Sequence, residues 1–308
     1  MPTGQSPILV TGAHRTGTTW VGRLLAEGRG IAYISEPLNV NHRPGVFGAR
    51  VANWYTYICA ENQQEYLPAF LGLLAYRYDL VAELASLRSA RDLARMGRDV
   101  AVFLGGRIGH QIPLLKDPFA VFSLRWFSEV LNCRIVVTVR HPAAFASGLK
   151  RLNWTFDFEH LLRQPLLMHD LLERYRGAMR SEVVADVIGQ AGLLWAIIYG
   201  TLEGLRARIP RLEVVRHEDL AMAPVEAFRQ LHEHLGLEFT ARVQRKVIES
   251  TSSENPVQLA PKHVHSVKLD SRASLQNWKQ RLTAGEVDRI RRLTDGVAQL
   301  YYPEESWS

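Results

Sequence analysis

The ten residues TGAHRTGTTW, at positions 11–20, follow a short apolar run and have the form of a phosphate-binding loop. Gly12 and Gly17 have the separation of the two glycines in G-x-x-x-x-G-K-[ST], the Walker A loop that cradles nucleotide phosphates. An ATP- or GTP-binding loop has lysine at the next position, where this chain has Thr18. The nearest cation is Arg15, inside the loop. The stretch predicts a strand, an anion-binding loop and a helix, and it leaves the identity of the anion open.

The loop supplies several hydrogen-bond donors for such an anion. The backbone amides of residues 16–19 lie at a predicted helix N-terminus, where free N–H groups and the helix dipole favour negative charge. The side chains of Arg15, Thr18 and Thr19 add further donors, and a guanidinium suits bidentate contact with phosphate-like oxygens. The alternative is a plain turn between a strand and a helix.

Short runs of β-branched residues predict the strands of a sheet. These runs are ILVT at 8–11, IAYIS at 31–35, RIVVTV at 134–139 and LEVV at 212–215. Because helical stretches separate them, the pattern indicates an α/β protein of the P-loop type, with three layers and a central parallel sheet flanked by helices. Ligands in such folds bind beyond the carboxyl ends of the strands.

Helix signals complete the predicted fold. Periodic apolar residues and terminal Pro, Gly or capping residues predict helices at 18–27, at 223–235 and from the capping box at 283 to about 300. Residues 42–112 contain little strand signal and many aromatic side chains, so we predict a largely helical cap over the site there. Aromatic residues that serve only as core are the alternative. We expect residues 1–308 to form a single domain.

Composition narrows the class of protein. The hydrophobic content of 47% and charged content of 22% are those of an ordinary globular protein. No apolar run reaches 18 residues and no signal peptide is evident, so we expect a cytoplasmic protein without a membrane span. Cys59 and Cys133 lack metal-binding spacing and are expected to be reduced thiols. The net charge of +6 favours an anionic ligand.

A second anion-binding pattern lies in residues 136–154. Arg140 leaves the end of a predicted strand, Pro142 suits the first turn of a helix, and Ser147 lies two turns along. One cation and one hydroxyl could thus hold a second phosphate. A strand-end arginine that makes a structural ion pair is the alternative.

Together the two patterns resemble those of the sulfotransferases that use 3′-phosphoadenosine 5′-phosphosulfate (PAPS). RTGTTW at 15–20 matches that family's 5′-phosphosulfate loop at every position, and Arg140 with Ser147 matches its 3′-phosphate site. The resemblance implies PAPS as the donor and 3′,5′-adenosine bisphosphate (PAP) as the product. It also explains Thr18, because PAPS has no γ-phosphate for a Walker lysine to reach. The donor-binding residues that the loop implies are His14, Arg15, Thr16, Gly17, Thr18, Thr19 and Trp20.

Later segments extend the resemblance over almost the whole chain. VVRHEDL at 214–220 is similar to the adenine-side segment, with His217 where an aromatic residue is usual. STSS at 250–253, and hence Thr251, is similar to a short Thr/Ser stretch of the family. SRASLQNWKQRL is similar to the segment that carries a second 3′-phosphate cation, which would be Arg272.

The catalytic groups depart from the small-molecule sulfotransferases, which have a K-T-H segment whose His is the base. This chain has Lys116-Asp117-Pro118 there, while Arg15 and the segment ISEPLNV resemble carbohydrate sulfotransferases. We predict that Arg15 neutralises the leaving phosphate oxygen and that Lys116 is a second cation near the sulfuryl group. The base is Glu36 or, as second choice, Asp117. A capping or ion-pairing Glu36 and a surface Lys116 are the alternatives.

The acceptor and the rival functions remain open at this stage. A sugar, a lipid head group, or a phenolic or polyol small molecule would each fit an aromatic cap, and the sequence does not indicate an oligomeric state. A P-loop kinase for a small molecule is the nearest rival, although the Walker lysine is missing. A nucleic-acid binder is the third, and no nucleic acid is expected because a recognition motif is missing. The remaining histidines, including His263 and His265, lack metal spacing, so no metal is expected.

Overall fold

A five-stranded parallel sheet forms the centre of the computed structural model, which describes residues 6–258 and 268–307. The strands are β1 (Ile8–Gly12), β2 (Ile31–Ser35), β3 (Ile112–Lys116), β4 (Arg134–Val139) and β5 (Leu212–Arg216). Their spatial order is β2-β3-β1-β4-β5, and every neighbouring pair is parallel. The predicted α/β class with a parallel central sheet is confirmed. Residues 259–267, which include His263 and His265, lie outside the described residues.

Four of these strands coincide with the predicted runs, and β3 was not predicted. Its sequence IPLLK contains one β-branched residue, and Pro113 cannot donate to a neighbouring strand. The strand is nevertheless central and fully buried between β1 and β2. Burial on both faces of the sheet therefore outweighs the weak local β propensity of this segment.

The sheet packs on both faces, and alternate residues of each strand contribute to opposite sides. In β1, Ile8 and Val10 belong to one hydrophobic core, whereas Leu9 belongs to the other. In β4, Val136 joins the first core, and Ile135 and Val137 join the second. This two-sided burial is the three-layer arrangement that the sequence predicts.

Helices of varied length surround the sheet. The longer ones are α1 (Thr18–Leu25), α2 (Leu67–Leu74), α3 (Leu80–Ser86), α4 (Ala90–Ile108), α5 (Leu124–Glu129), α6 (Pro142–Leu152), α10 (Val187–Arg206), α11 (His217–Met222), α12 (Pro224–His234), α13 (Ala241–Thr251) and α16 (Ala284–Thr294). The shorter ones are α7 (Glu159–Leu162), α8 (Pro165–Leu167), α9 (Arg176–Met179), α14 (Ser271–Ser274) and α15 (Asn277–Arg281). Single turns of 3₁₀- or π-helix occur at 63–65, 118–123, 168–172, 173–175, 182–185, 295–300 and 304–307.

The predicted helices occur close to their expected bounds. The capping box is present, because the Thr283 hydroxyl accepts from the Glu286 amide and the Glu286 carboxylate accepts from the Thr283 amide. The α-helix it opens ends at Thr294, and the expected remainder, to Leu300, is 3₁₀. Residues 42–111 contain α2, α3 and α4 and no strand, as expected, although residues 42–62 contain no helix.

Helix α10 fixes the ends of the two strands nearest the loop. The Tyr199 hydroxyl donates to the Thr138 carbonyl at 2.8 Å and accepts from the Ala13 amide at 3.2 Å. One turn earlier, the Trp195 indole N–H donates to the Arg140 carbonyl at 2.8 Å. Because both aromatic side chains are fully buried, the carboxyl ends of β1 and β4 are held in one rigid frame.

Candidate active site

A cavity of about 680 Å³ opens beyond the carboxyl ends of the strands. Its walls come from the loop after β1, the segments after β2, β3 and β4, and the start of α11. The lining residues are His14, Arg15, Gly17, Thr18, Thr19, Trp20, Glu36, Asn39, Trp54, Tyr55, Pro118, Phe119, Arg140, Asn153, Trp154, Thr155, Phe156, Asp157, His160, His217 and Leu269. The position is the one expected for a ligand site in a parallel α/β sheet.

Two glycines give the loop its shape. Gly12 has φ 139°, and a Cβ there would lie 2.4 Å from the Thr138 carbonyl oxygen, so the loop can approach β4 only without a side chain. Gly17 has φ 101° and is the N-cap of α1, where no side chain caps the helix. Thr18 and Thr19 of the first helical turn line the cavity. The helix N-terminus thus borders the cavity where an anion would bind.

Arg15 occupies the centre of the loop in a left-handed conformation, with φ 70°. Its guanidinium lies 5.7 Å from the centre of the Trp154 ring, a cation–π distance. The pKa of Arg15 is lowered to about 10 by burial and then by the charges of Arg140 and Arg151. The side chain remains cationic at neutral pH, and like charges converge on it, so an anion between them would be strongly favoured.

Arg140 follows β4 directly and lines the same cavity. Its Nη1 donates to the Arg15 carbonyl at 3.3 Å, so the two predicted cationic positions are adjacent. Burial lowers the pKa of Arg140, and the nearby Glu218 carboxylate partly opposes that shift. A buried guanidinium of this kind requires acceptors to complete its hydrogen bonds.

Three of the predicted 3′-phosphate and adenine-side residues carry a buried polar atom that has no hydrogen-bond partner within residues 6–258 and 268–307. These atoms are Nε of Arg140, Oγ of Ser147 and Nδ1 of His217. Arg140 and His217 line the cavity, whereas Ser147 does not. Buried polar groups are normally satisfied, and unsatisfied ones at a cavity indicate a missing acceptor or donor. His217 also lies against the loop, since a Cβ on Gly17 would be 2.8 Å from its Nδ1.

Two further arginines belong to the same cationic group and were not predicted. Arg151 lies on α6 one turn after Ser147, and its charge contributes to lowering the pKa of Arg15. Arg281 ends α15, and its pKa is lowered by burial and then by Arg151 and Arg140. The spacing Ser147-x-x-x-Arg151 places both side chains on one helix face, which was the available sequence signal.

Glu36 borders the cavity on the other side of the loop, directly after β2. Its backbone is left-handed, with φ 54°, and one carboxylate oxygen accepts from the Asn39 amide group at 2.7 Å. The other oxygen accepts from Lys116 Nζ. Lys116 is 2% exposed, which rules out a surface lysine, and its ammonium is held by Glu36. The predicted catalytic residues Glu36 and Lys116 therefore form an ion pair with each other.

Asp117 is fully buried and has a different environment. Its two carboxylate oxygens accept from the backbone amides of Leu38 at 2.6 Å and Phe119 at 2.9 Å. Burial raises its pKa from the ordinary 3.8 to about 7. These contacts join the segments after β2 and β3, and Asp117 is not among the residues that line the cavity.

His14 is half-buried among aromatic rings on the wall of the cavity. One ring nitrogen lies 2.7 Å from the Tyr55 hydroxyl, and the Phe145 ring is 5.7 Å away, edge-on. Its pKa is lowered to about 4, chiefly by burial and then by the charge of Arg15. His14 is therefore neutral at neutral pH and can exchange hydrogen bonds without adding charge.

Aromatic side chains line a second region of the cavity, here called its aromatic end, which meets the loop where Trp154 lies against Arg15. Trp54 packs on Phe119, with ring centres 4.5 Å apart, and Trp154 and Phe156 follow α6. Of these, only Trp54 was noted in the sequence, as part of the predicted cap. Asp157 and His160 add polar groups at this end.

Among the remaining predicted residues, Thr16, Ser147, Thr251 and Arg272 do not line the cavity. The Thr16 hydroxyl donates to the Ala13 carbonyl at 2.6 Å and lies 2.8 Å from the Thr138 hydroxyl, so it stabilises the loop. The Thr251 hydroxyl donates to the Val247 carbonyl of its own helix at 2.9 Å. Arg272 donates to the Met222 carbonyl at 2.8 Å and is exposed. Trp20 does line the cavity, edge-on to His217 at 5.3 Å.

Within 6–258 and 268–307, no three His, Cys, Asp or Glu side chains are grouped so that they could hold a metal ion. In the same ranges, the helices that are long enough to cross a membrane are not apolar enough to do so.

The chain is similar to solved sulfotransferase structures, of which the first described here supports the fold. The sulfotransferase domain from the curacin biosynthetic pathway is 16% identical, covers 97% of this chain and 98% of its own, and superposes with a TM-score of 0.50. The sulfotransferase domain of the Synechococcus PCC 7002 olefin synthase is 16% identical over 96% of this chain and 95% of its own, with a TM-score of 0.46. A Mycobacterium avium sulfotransferase is 14% identical over 96% and 77%, with a TM-score of 0.47.

Sequence comparison identifies the family. No curated protein matches the chain. A family model described as "Sulfotransferase family" matches residues 7–241, well over half of the chain and all five strands. The matched region contains the loop, Glu36, Lys116 and Arg140. The chain belongs to the sulfotransferase family.

Proposed function

We propose that this protein transfers the sulfuryl group of PAPS to a hydroxyl of a small-molecule, lipid or carbohydrate acceptor. The observation that carries the proposal is the convergence of Arg15 and Arg140 on one cavity. Arg140 and His217, which line that cavity, each have an unsatisfied buried nitrogen, and the Ser147 hydroxyl is buried and unsatisfied as well. A ligand phosphorylated at both its 5′ and 3′ ends would meet both groups of donors.

The loop and its arginine form the proposed 5′ end of the donor site. PAPS would supply the sulfuryl group and a leaving phosphate oxygen on which negative charge develops. Arg15 and the first-turn amides of α1 neutralise that charge, and their fixed positions avoid reorganisation during transfer. Thr18 is compatible with this role because the cation comes from within the loop. Arg140, Ser147 and His217, with Arg151 and Arg281, form the proposed 3′ end.

Glu36 is the proposed general base. Glu36 lines the cavity near the loop. Asp117 does not line the cavity, and both of its carboxylate oxygens accept hydrogen bonds from backbone amides. A base must reach the hydroxyl whose proton it accepts. Lys116 and Asn39 hold the Glu36 carboxylate from two sides and thereby orient it. Lys116 also offers the second cation near the sulfuryl group when the carboxylate becomes protonated.

The aromatic end of the cavity is the proposed acceptor site. Trp54 and Tyr55 from residues 42–112 reach it, which supports the proposal that this segment caps the site within a single domain of residues 1–308. The cytoplasmic location expected from the sequence remains a prediction.

A ligand-dependent melting shift tests the donor site directly. A ligand at 100 times its Kd adds about 2.7 kcal/mol to the free energy of unfolding. We expect PAP to raise the Tm and Mg-ATP to leave it unchanged. A shift with Mg-ATP alone would indicate the small-molecule kinase, which family membership does not favour. Transfer of labelled sulfate from PAPS to a panel of phenols, polyols and sugars then tests the reaction.

A further inference from the structure

Helices α3 and α4 carry large apolar side chains that face solvent. They range in exposure from 47% for Leu80 to 78% for Val81. We define the α3–α4 surface as Leu80, Val81, Leu84, Leu93, Leu104 and Ile108. Single exposed apolar residues are ordinary, whereas several on the solvent side of one helix, as on α4, indicate an interaction site.

The exposed apolar residues of α4 recur on one side of the helix. Leu93 and Leu104 are eleven residues apart, close to three full turns, and Ile108 follows one turn later. The opposite side buries Phe103 and Gly106 against the fold. Helix α4 is therefore apolar along part of its solvent side as well as on the side that packs.

The two helices are anchored by their inward sides. Arg43 donates to the buried carboxylate of Glu83 on α3, with its Nε at 2.7 Å, and its Nη1 lies 3.4 Å from Asp99 on α4. A Cβ on Gly106 would clash with the Tyr76 ring at 2.4 Å, which shows how closely α4 packs there. Since α3 and α4 are fixed by these contacts, the outward apolar residues are a permanent feature of the folded surface.

The charges around these residues are mainly positive. The exposed arginines between positions 77 and 107 are Arg77, Arg88, Arg91, Arg95, Arg98 and Arg107. Within that segment, all of which the structure describes, Asp79 is the one exposed carboxylate, and Asp92 and Asp99 are partly buried. A helix with an apolar stripe and flanking arginines is typical of segments that lie in the headgroup region of a membrane. A second copy of the chain is less suitable, because a symmetric contact would bring arginine against arginine.

We propose that the α3–α4 surface binds the surface of an anionic lipid bilayer. The apolar side chains enter the boundary between headgroups and acyl chains, and the arginines contact the anionic headgroups. The inference rests on exposure and charge and is independent of the donor that the cavity binds. A membrane-bound protein would act on acceptors that are presented at, or partition into, that surface.

Vesicle co-sedimentation of the full chain tests the proposal. We expect binding to vesicles of equal parts phosphatidylcholine and phosphatidylglycerol, and much weaker binding to phosphatidylcholine alone. The variant L93Q/L104Q/I108Q keeps good helix formers and should bind the anionic vesicles at least tenfold more weakly. Ile248→Gln, at a half-exposed position of α13, is the matched control and should bind normally. Removing Arg91 and Arg98 as R91Q/R98Q should weaken binding about fivefold for each charge.

Specific results would overturn the proposal. Equal affinity for neutral and anionic vesicles would exclude charge complementarity, and unchanged binding of the triple variant would exclude the α3–α4 surface. A dimer in light scattering that dissociates in the triple variant, without vesicle binding by the wild type, would assign the surface to a second copy. Melting curves confirm that each variant is folded, so loss of binding by a folded triple variant supports the proposal.

Discussion

The two ends of the cavity differ in both chemistry and construction. The end at Arg15 and Arg140 is cationic and is built from short segments that directly follow β1 and β4. The other end is aromatic and acidic, and its residues come from positions 36–55, 118–119 and 153–160. The first end is fixed by strand geometry, whereas the second depends on how long connections fold over the sheet. This difference predicts distinct consequences for substitutions at the two ends.

The largest effect is expected at Glu36, which lines the cavity directly after β2. A general base contributes about 10²- to 10⁴-fold to a rate, so Glu36→Gln should lower kcat by that factor and leave PAP affinity unchanged. Steady-state kinetics at saturating PAPS measures the effect. Glu65→Gln, at an exposed carboxylate, is the control and should behave as wild type. Full activity of Glu36→Gln would remove Glu36 from the mechanism.

Arg15→Ala should reduce turnover by roughly 10²- to 10³-fold, the usual loss when one donor to a developing oxyanion is removed. The reason is that the charge on the leaving oxygen loses its nearest cation. The control is Arg23→Ala, at an exposed arginine of the helix that follows the loop, and this variant should turn over at the wild-type rate. If both variants turn over at similar rates, the proposed contrast between the two ends is wrong.

Arg140→Ala should act on affinity more than on turnover. Hydrogen bonds to charged groups contribute about 1.5 to 3 kcal/mol, or roughly ten- to more than a hundredfold in Kd. Isothermal titration with PAP should show this loss, while Arg208→Ala, at an exposed position, keeps wild-type affinity. Unchanged PAP affinity in Arg140→Ala would contradict the proposed 3′-phosphate site.

Asp117→Asn should change stability rather than chemistry. One carboxylate oxygen becomes an amide donor facing a backbone N–H, which costs about 1 to 3 kcal/mol for an unsatisfied buried group. The pKa of Asp117 is raised to about 7 in the folded state. The contribution of Asp117 to the free energy of unfolding is therefore complete below pH 4 and is lost as the pH rises through 7. Denaturant unfolding should therefore show a difference from wild type that is largest near pH 4 and smaller at pH 8. A pH-independent difference would argue against the raised pKa.

The same contrast explains what could be predicted from the sequence. Glycine spacing and β-branched runs are local signals, so β1, β4 and the position of Arg15 and Arg140 were all predicted. β3 was missed because its burial comes from neighbours distant in sequence, and Pro113 argued locally against a strand. Trp154 and Phe119 were missed because only tertiary contacts bring them to the cavity. Tyr199 was missed for the same reason, since its bonds to the ends of β1 and β4 span more than sixty residues.

Two residues that resemblance assigns to the donor site make hydrogen bonds within the protein. The Thr251 hydroxyl donates to the Val247 carbonyl, and the Arg272 guanidinium donates to the Met222 carbonyl. Whether they contact a bound donor stays a prediction. Arg151 and Arg281 act electrostatically on Arg15 and Arg140 or are acted on by them, and they are further candidates for the second cation of the proposed 3′-phosphate site.

The left-handed backbones of Arg15, Glu36 and Tyr55 have a consequence for laboratory evolution of this protein. Each such residue costs of the order of 1 to 3 kcal/mol when its conformation is sparsely populated. Glycine at these positions would relax the chain but would delete the side chain that the cavity uses. Selection for heat tolerance alone should accumulate changes at these three positions and lose turnover, whereas selection that also demands turnover should leave them untouched.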